Sequence, residues 1–157
     1  MSSLEKAIDI VVVAHAGTKD KTGQPYILHP IRVMVGVEGE LAQIVAILHD
    51  VVEDMDITLD DIRKAGFSDS AVTALNLVTH KKNQSYTDYV IACKENPIAR
   101  QVKLSDLRDN SNINRMLLRP DKFESDTARI QKYVLAYRFL TDALSEDEYW
   151  RLTAKNG

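Results

Sequence analysis

The chain has 157 residues, 45% hydrophobic and 27% charged, with a formal net charge of −3. That size and composition suit one globular domain over residues 1–157 and argue against global disorder. The slight acidity offers no general attraction for nucleic acid, the lone Cys93 excludes an internal disulfide, and no apolar run approaches the roughly 20 residues of a membrane span.

The opening MSSLEKAIDI carries Glu5 and Asp9 where a signal peptide would be basic and then apolar, so a soluble, cytoplasmic chain is expected. Ser2 or Ser3 is placed to cap a first helix, with Leu4, Ala7, Ile8, Val11 and Val12 on one face and Gly17 ending it. TKDKTGQPYILHP reads as a loop, because Gly23 and two prolines interrupt any regular element. A short helix follows Pro30, and the next, at about 39–53, is apolar on most sides and belongs at the centre of a bundle.

Thr58 and Asp61 have capping-box spacing before a short helix that Gly66 ends. Further helices are predicted over Ser70–Val78, Tyr86–Lys94 and from Pro97 through Asn110. Beyond Pro120 the pattern resumes, with Ile130, Val134, Tyr137 and Leu144 at helical spacing. No strand alternation and no glycine-rich phosphate loop is visible. The expected fold is an all-α bundle of about eight helices.

The chemistry gathers at the end of the central helix, in AILHDVVED. His49 and Glu53 are four apart, as are Asp50 and Asp54, so these groups cluster on adjoining helical faces. Six acidic residues and no Lys or Arg lie between Asp50 and Asp61. The helix dipole disfavours anions there by roughly 0.3–1 kcal/mol each, a cost that a solvated acidic end tolerates. Burial changes the sum, since an isolated buried carboxylate costs several kcal/mol unless a counter-charge compensates it. A divalent cation would do so, and an adjacent His-Asp pair suits a transition metal better than Ca²⁺.

PYILHP, ILHDVVED and VKLSDLRDN occur in an order and at separations that resemble the HD-domain metal-dependent phosphohydrolases. The likeness is greatest to the hydrolase domain of RelA/SpoT-type (p)ppGpp enzymes and their small stand-alone relatives. It runs from AHAGTKDKTGQPY to DTARIQKYVLAY.

The resemblance implies metal ligation by His29, His49, Asp50 and Asp106, with Mn²⁺ as the usual ion. It assigns Glu53 and Asp54 to catalysis through the attacking water, and Lys21, Tyr26 and Asn110 to substrate binding. It implies a small-molecule nucleotide substrate, most simply (p)ppGpp losing pyrophosphate from its 3′ position, with neither nucleic acid nor membrane as partner. An oligomer is compatible with the sequence. Synthetase activity is not expected, because that family places it in a separate domain. His15 reads as a structural or supporting residue, His80 as surface, and Tyr133 and Tyr137 as bundle core.

Two departures stand out. Asp20 replaces the basic residue that close (p)ppGpp hydrolases carry, and NSNIN replaces a more basic stretch after the asparagine. These widen the expected substrates to another nucleotide, such as a dinucleotide phosphate, and leave open a non-catalytic nucleotide-binding module.

Overall fold

A computed structural model describes residues 3–114 and 119–154. Ten α-helices and one 3₁₀ turn are present among them: α1 (Ser3–Ala14), α2 (Leu28–Val35), α3 (Glu40–Leu48), α4 (Val51–Asp54), α5 (Leu59–Lys64), α6 (Asp69–Val78), α7 (Tyr86–Lys94), α8 (Pro97–Asn110), η1 (Pro120–Lys122), α9 (Phe123–Leu140) and α10 (Glu146–Ala154). No strand occurs among the described residues, apart from an isolated bridge between Lys19 and Pro25. The all-α expectation holds. The larger helix count comes from α10 and from a break in the central helix.

Local chemistry sets many of the boundaries. Thr58 accepts from the Asp61 amide while the Asp61 carboxylate takes the Thr58 amide, the reciprocal bonding expected from their spacing. Ser68 caps α6, two residues before the start expected at Ser70, and Ser85 caps α7. Asn96 accepts from the amides of Ile98 and Ala99, and Pro97, with no amide hydrogen to satisfy, opens α8. At the end of α5, Gly66 adopts φ +89°, which a side chain would resist.

Three expectations need correcting. The helix at about 39–53 is interrupted at His49 and Asp50. There the His49 Nδ1–H donates to the Ala46 carbonyl at 2.7 Å, drawing on a group that the helix ladder would otherwise use alone. In α1, Ala7 and Val11 are buried but Val12 is 51% exposed, because one residue moves the side chain about 100° around the axis. In α9, Val134 likewise faces out, while Ala136, Phe139 and Leu140 supply the buried face. Ser2, one of the two expected caps of α1, lies outside the described residues.

The core is organised around α3 and α8. Helix α3 packs against α1, α2, α6 and α8, which is why it is apolar nearly all round. Ile44, Val45, Ile47 and Leu48 are all buried, each contributing about 1.5–3 kcal/mol of hydrophobic stabilisation. Helix α8 packs against α2, α3, α6, α7 and α9. Gly36, at the end of α2, lets it approach α8 closely: a Cβ there would lie 2.3 Å from Ser105 Oγ. Ser105 in turn donates to the Val33 carbonyl at 2.9 Å. Lys103 and Asp106, although charged, are buried in this inner helix.

Candidate functional site

Three helices bring the four expected ligands together. His29 comes from α2, His49 and Asp50 from the break after α3, and Asp106 from α8. Donor atoms of His29, His49 and Asp50 lie within 4.8 Å of one another. His29 Nε2 is 3.4 Å from Asp50 Oδ2 and 3.4 Å from Asp106 Oδ1. His49 Nε2 is 3.1 Å from Asp50 Oδ1 and 3.7 Å from Asp106 Oδ1.

The imidazoles are oriented by their other nitrogens. His29 Nδ1 is 2.6 Å from Asp109 Oδ2, and a carboxylate can only accept, so Nδ1 carries the proton. His49 Nδ1 donates to the Ala46 carbonyl. Both Nε2 atoms therefore face the carboxylates and offer a lone pair once their own proton is displaced, the usual arrangement for metal-binding histidine. His49 Nε2 is buried without a hydrogen-bond partner. Two imidazoles and two carboxylates beside such an orphaned nitrogen fit a divalent transition metal.

Each carboxylate has its own support. Asp106 Oδ2 pairs with the buried Lys103 ammonium at 2.8 Å, leaving Oδ1 toward the imidazoles. Asn110 also donates to Asp106. Burial opposes ionisation of Asp106, but Lys103 and the two histidines hold its pKa well below the ordinary carboxylate range. Asp50 is likewise held at about 2, burial being outweighed by His49 and His29. Burial draws the His29 pKa down, yet Asp106, Asp109 and Asp50 carry it to about 11.

These groups form part of the lining of a cavity of about 700 Å³. Glu53 and Asp54 lie on its wall, both with pKa values raised, chiefly by burial. Glu53 Oε2 accepts the His80 amide at 3.0 Å. The Tyr26 phenol donates to Asp50 at 2.6 Å and to Asp54 at 3.3 Å. Lys21, Tyr26 and Asn110, the expected substrate contacts, also line the cavity. The polar ends of Tyr26 and Asn110 bond to carboxylates of the ligand set.

Several residues at or beside the cavity are not among those expected from the sequence. Asp109 carries His29, and its spacing of three from Asp106 on one helix was the available signal. Arg119, Arg129, Lys132 and Tyr133 line the cavity from the α9 region. Arg129, Lys132 and Tyr133 stand at i, i+3 and i+4, a legible stripe that was read as core for Tyr133. Arg119 and Arg129 flank the buried Asp126 at 3.3 and 2.9 Å. His80 is also a wall residue, contrary to its surface reading, with its ring 4.8 Å from that of Tyr89. Arg108 faces outward and donates to the Tyr137 hydroxyl at 3.2 Å.

No family model matches the chain. Over 120 residues it is 32% identical to the guanosine-3′,5′-bis(diphosphate) 3′-pyrophosphohydrolase of Aquifex aeolicus, an alignment covering 68% of this chain and 17% of that protein. Over 152 residues it is 29% identical to the GTP pyrophosphokinase of Streptomyces antibioticus, covering 88% and 18%. The chain thus spans under a fifth of these curated relatives. In structure it matches a metazoan SpoT orthologue described as hydrolysing ppGpp, with a TM-score of 0.68 and 22% identity, covering 98% of this chain and 96% of that one. That match shows a shared fold.

Proposed function

We propose that this chain, a relative of the RelA/SpoT-type (p)ppGpp enzymes, is a single-domain, divalent-metal-dependent phosphohydrolase acting on a nucleotide. Guanosine 3′,5′-bis(diphosphate) is the first substrate to test, with pyrophosphate leaving from the 3′ position. The observation that carries this reading is the meeting of His29, His49, Asp50 and Asp106 in one cavity that also holds Glu53, Asp54 and several cations.

In this reading His29, His49, Asp50 and Asp106 hold the ion, and the family resemblance points to Mn²⁺. Such an ion supplies Lewis-acid activation of water and of a phosphoryl oxygen. Glu53 or Asp54 takes the proton released by the attacking water, and raised pKa values suit carboxylates to that task near neutral pH. Lys21, Arg129 and Lys132 meet the phosphates, while Tyr26 and Asn110 hold the carboxylates that face the ion. No helix among the described residues is long and apolar enough to cross a membrane. A cytoplasmic enzyme with a small-molecule nucleotide, rather than nucleic acid, as partner is the corresponding proposal.

One observation favours a second substrate. Asp20 spends its Oδ1 on its own loop, accepting from Thr22 N at 2.8 Å, Thr22 Oγ1 at 2.7 Å and Gln24 N at 3.1 Å. The cavity therefore presents a loop-capping carboxylate where close (p)ppGpp hydrolases present a base-contacting cation. Another nucleotide, such as a dinucleotide phosphate, is the alternative on the same site.

The test is elemental analysis of protein purified without chelator, followed by a nucleotide panel with and without Mn²⁺. Metal-dependent pyrophosphate release from ppGpp supports the first reading, and turnover of another nucleotide alone supports the second. Saturable binding with no turnover in Mn²⁺ would replace both with a binding module.

A further inference from the structure

Asp109 joins two residues of α2 that stand three apart, and so share a helical face. Arg32 Nε donates to its Oδ1 at 2.5 Å and Arg32 Nη2 to its Oδ2 at 3.0 Å. His29 Nδ1 donates to that same Oδ2 at 2.6 Å. The guanidinium fork fixes the plane of the carboxylate, because two parallel bonds leave it little rotational freedom. The fixed carboxylate then sets the tautomer and ring orientation of His29. In that orientation Nε2 points to Asp50 and Asp106, 3.4 Å from each.

The Asp109 side chain is only 8% exposed, whereas that of Arg32 is 45% exposed. An exposed arginine tied to a nearly buried carboxylate would contribute little as a surface ion pair alone. The carboxylate in contact with a buried imidazole gives the pair its purpose.

We propose that Asp109 is a positioning residue for the metal centre, holding His29 in its Nδ1–H form with Nε2 toward the ion, and that Arg32 holds Asp109 in turn. This rests on the reading of His29 as a metal ligand. The two can fail separately.

The test is an equilibrium Mn²⁺ titration of the full chain, with thermal melts as a folding control. Asp109→Ala is expected to weaken Mn²⁺ binding by about 10–100-fold, the usual range for loss of an outer partner of a liganding histidine. Asp109→Asn, which keeps an acceptor oxygen, should weaken it less. Arg32→Ala, at an exposed side chain, should give an intermediate loss of about threefold to tenfold by the same reasoning. In protein loaded with diamagnetic Zn²⁺ and labelled with ¹⁵N-histidine, the wild type should show a protected His29 Nδ1–H that Asp109→Ala loses.

Unchanged Mn²⁺ affinity in folded Asp109→Ala and Arg32→Ala, or a lower melting temperature with the same affinity and tautomer, would overturn the proposal by leaving a simple α2–α8 staple. A wild type that takes up no Mn²⁺ would instead refute the metal reading beneath it. Should Asp109→Ala fail to fold, Asp109→Asn and Arg32→Ala decide the question by the same measurements.

Discussion

The phenol of Tyr26 donates a 2.6 Å hydrogen bond to Asp50 Oδ2, tying the loop before α2 to the break after α3. Burial and the charge on Asp50 both raise the Tyr26 pKa, so the phenol remains a donor throughout the working pH range. Tyr26→Phe removes that donor while keeping the ring that packs 4.7 Å from His15. The expected result is a folded protein with Mn²⁺ affinity reduced about tenfold. A metal titration of the variant checks it, and unchanged affinity would return Tyr26 to a purely substrate-facing role.

The ligands and the acidic pair should separate in mutagenesis. Asp50→Ala and Asp106→Ala are expected to lose both bound metal and turnover. Glu53→Gln should retain metal and lose about 10²–10⁴-fold in kcat, the usual share of general acid–base catalysis. Elemental analysis beside steady-state kinetics distinguishes the two patterns. Full activity in Asp50→Ala would remove the mechanism.

In the proposed centre protons and metal compete for the same imidazoles, so stability should depend on pH in opposite ways with and without metal. Pairing raises the His29 pKa to about 11 from its ordinary 6.5. Its stabilising contribution is therefore complete below pH 6.5 and lost as pH rises toward 11. Asp50, lowered to about 2 from 3.8, contributes above pH 3.8 and loses that contribution as pH falls through 2. Chelated protein is thus expected to become less stable as pH is raised from 6.5 to 10. The stabilisation added by Mn²⁺ should grow over the same interval, since binding expels protons. Thermal melts in chelator and in Mn²⁺ test both slopes.

Charge in the cavity should act on substrate binding. Lys21→Ala and Lys132→Ala are expected to raise KM several-fold, with effects that shrink at high salt, while kcat changes little. Kinetics at two ionic strengths test this. An unchanged KM would assign either lysine to the solvated surface.

The α2–α8 approach can be tested independently of catalysis. Gly36→Ala places a Cβ against Ser105 Oγ and should destabilise the fold by about 1–3 kcal/mol, typical of overpacking. Combining it with Ser105→Ala should relieve part of that cost, giving a non-additive double-mutant cycle in denaturant unfolding. Strict additivity would show that the approach is not tight.

Much of the local structure was readable because its causes lie within a few residues. Thr58 with Asp61, and Pro97, mark helix starts through effects that span at most three positions. The break at His49 escaped that reading, because the hydrophobic pattern runs straight through it while one imidazole takes up the Ala46 carbonyl. Val134 was misplaced for a related reason. Periodicity identifies a helix, but the neighbours of α9 determine which of its faces is covered.

By itself, the sequence determined an all-helical chain, an apolar central helix ending in His49, Asp50, Glu53 and Asp54, and the ordered motifs that carry the proposed partners His29 and Asp106. Only the tertiary structure decided that His29 donates a hydrogen bond to Asp109, 80 positions away, and that α9 brings Arg129 and Lys132 to the cavity that His29 lines. The reason is one of range. Helical geometry dictates neighbours three and four residues away. Which helices meet depends on burying every apolar face at once, and no single segment carries that information.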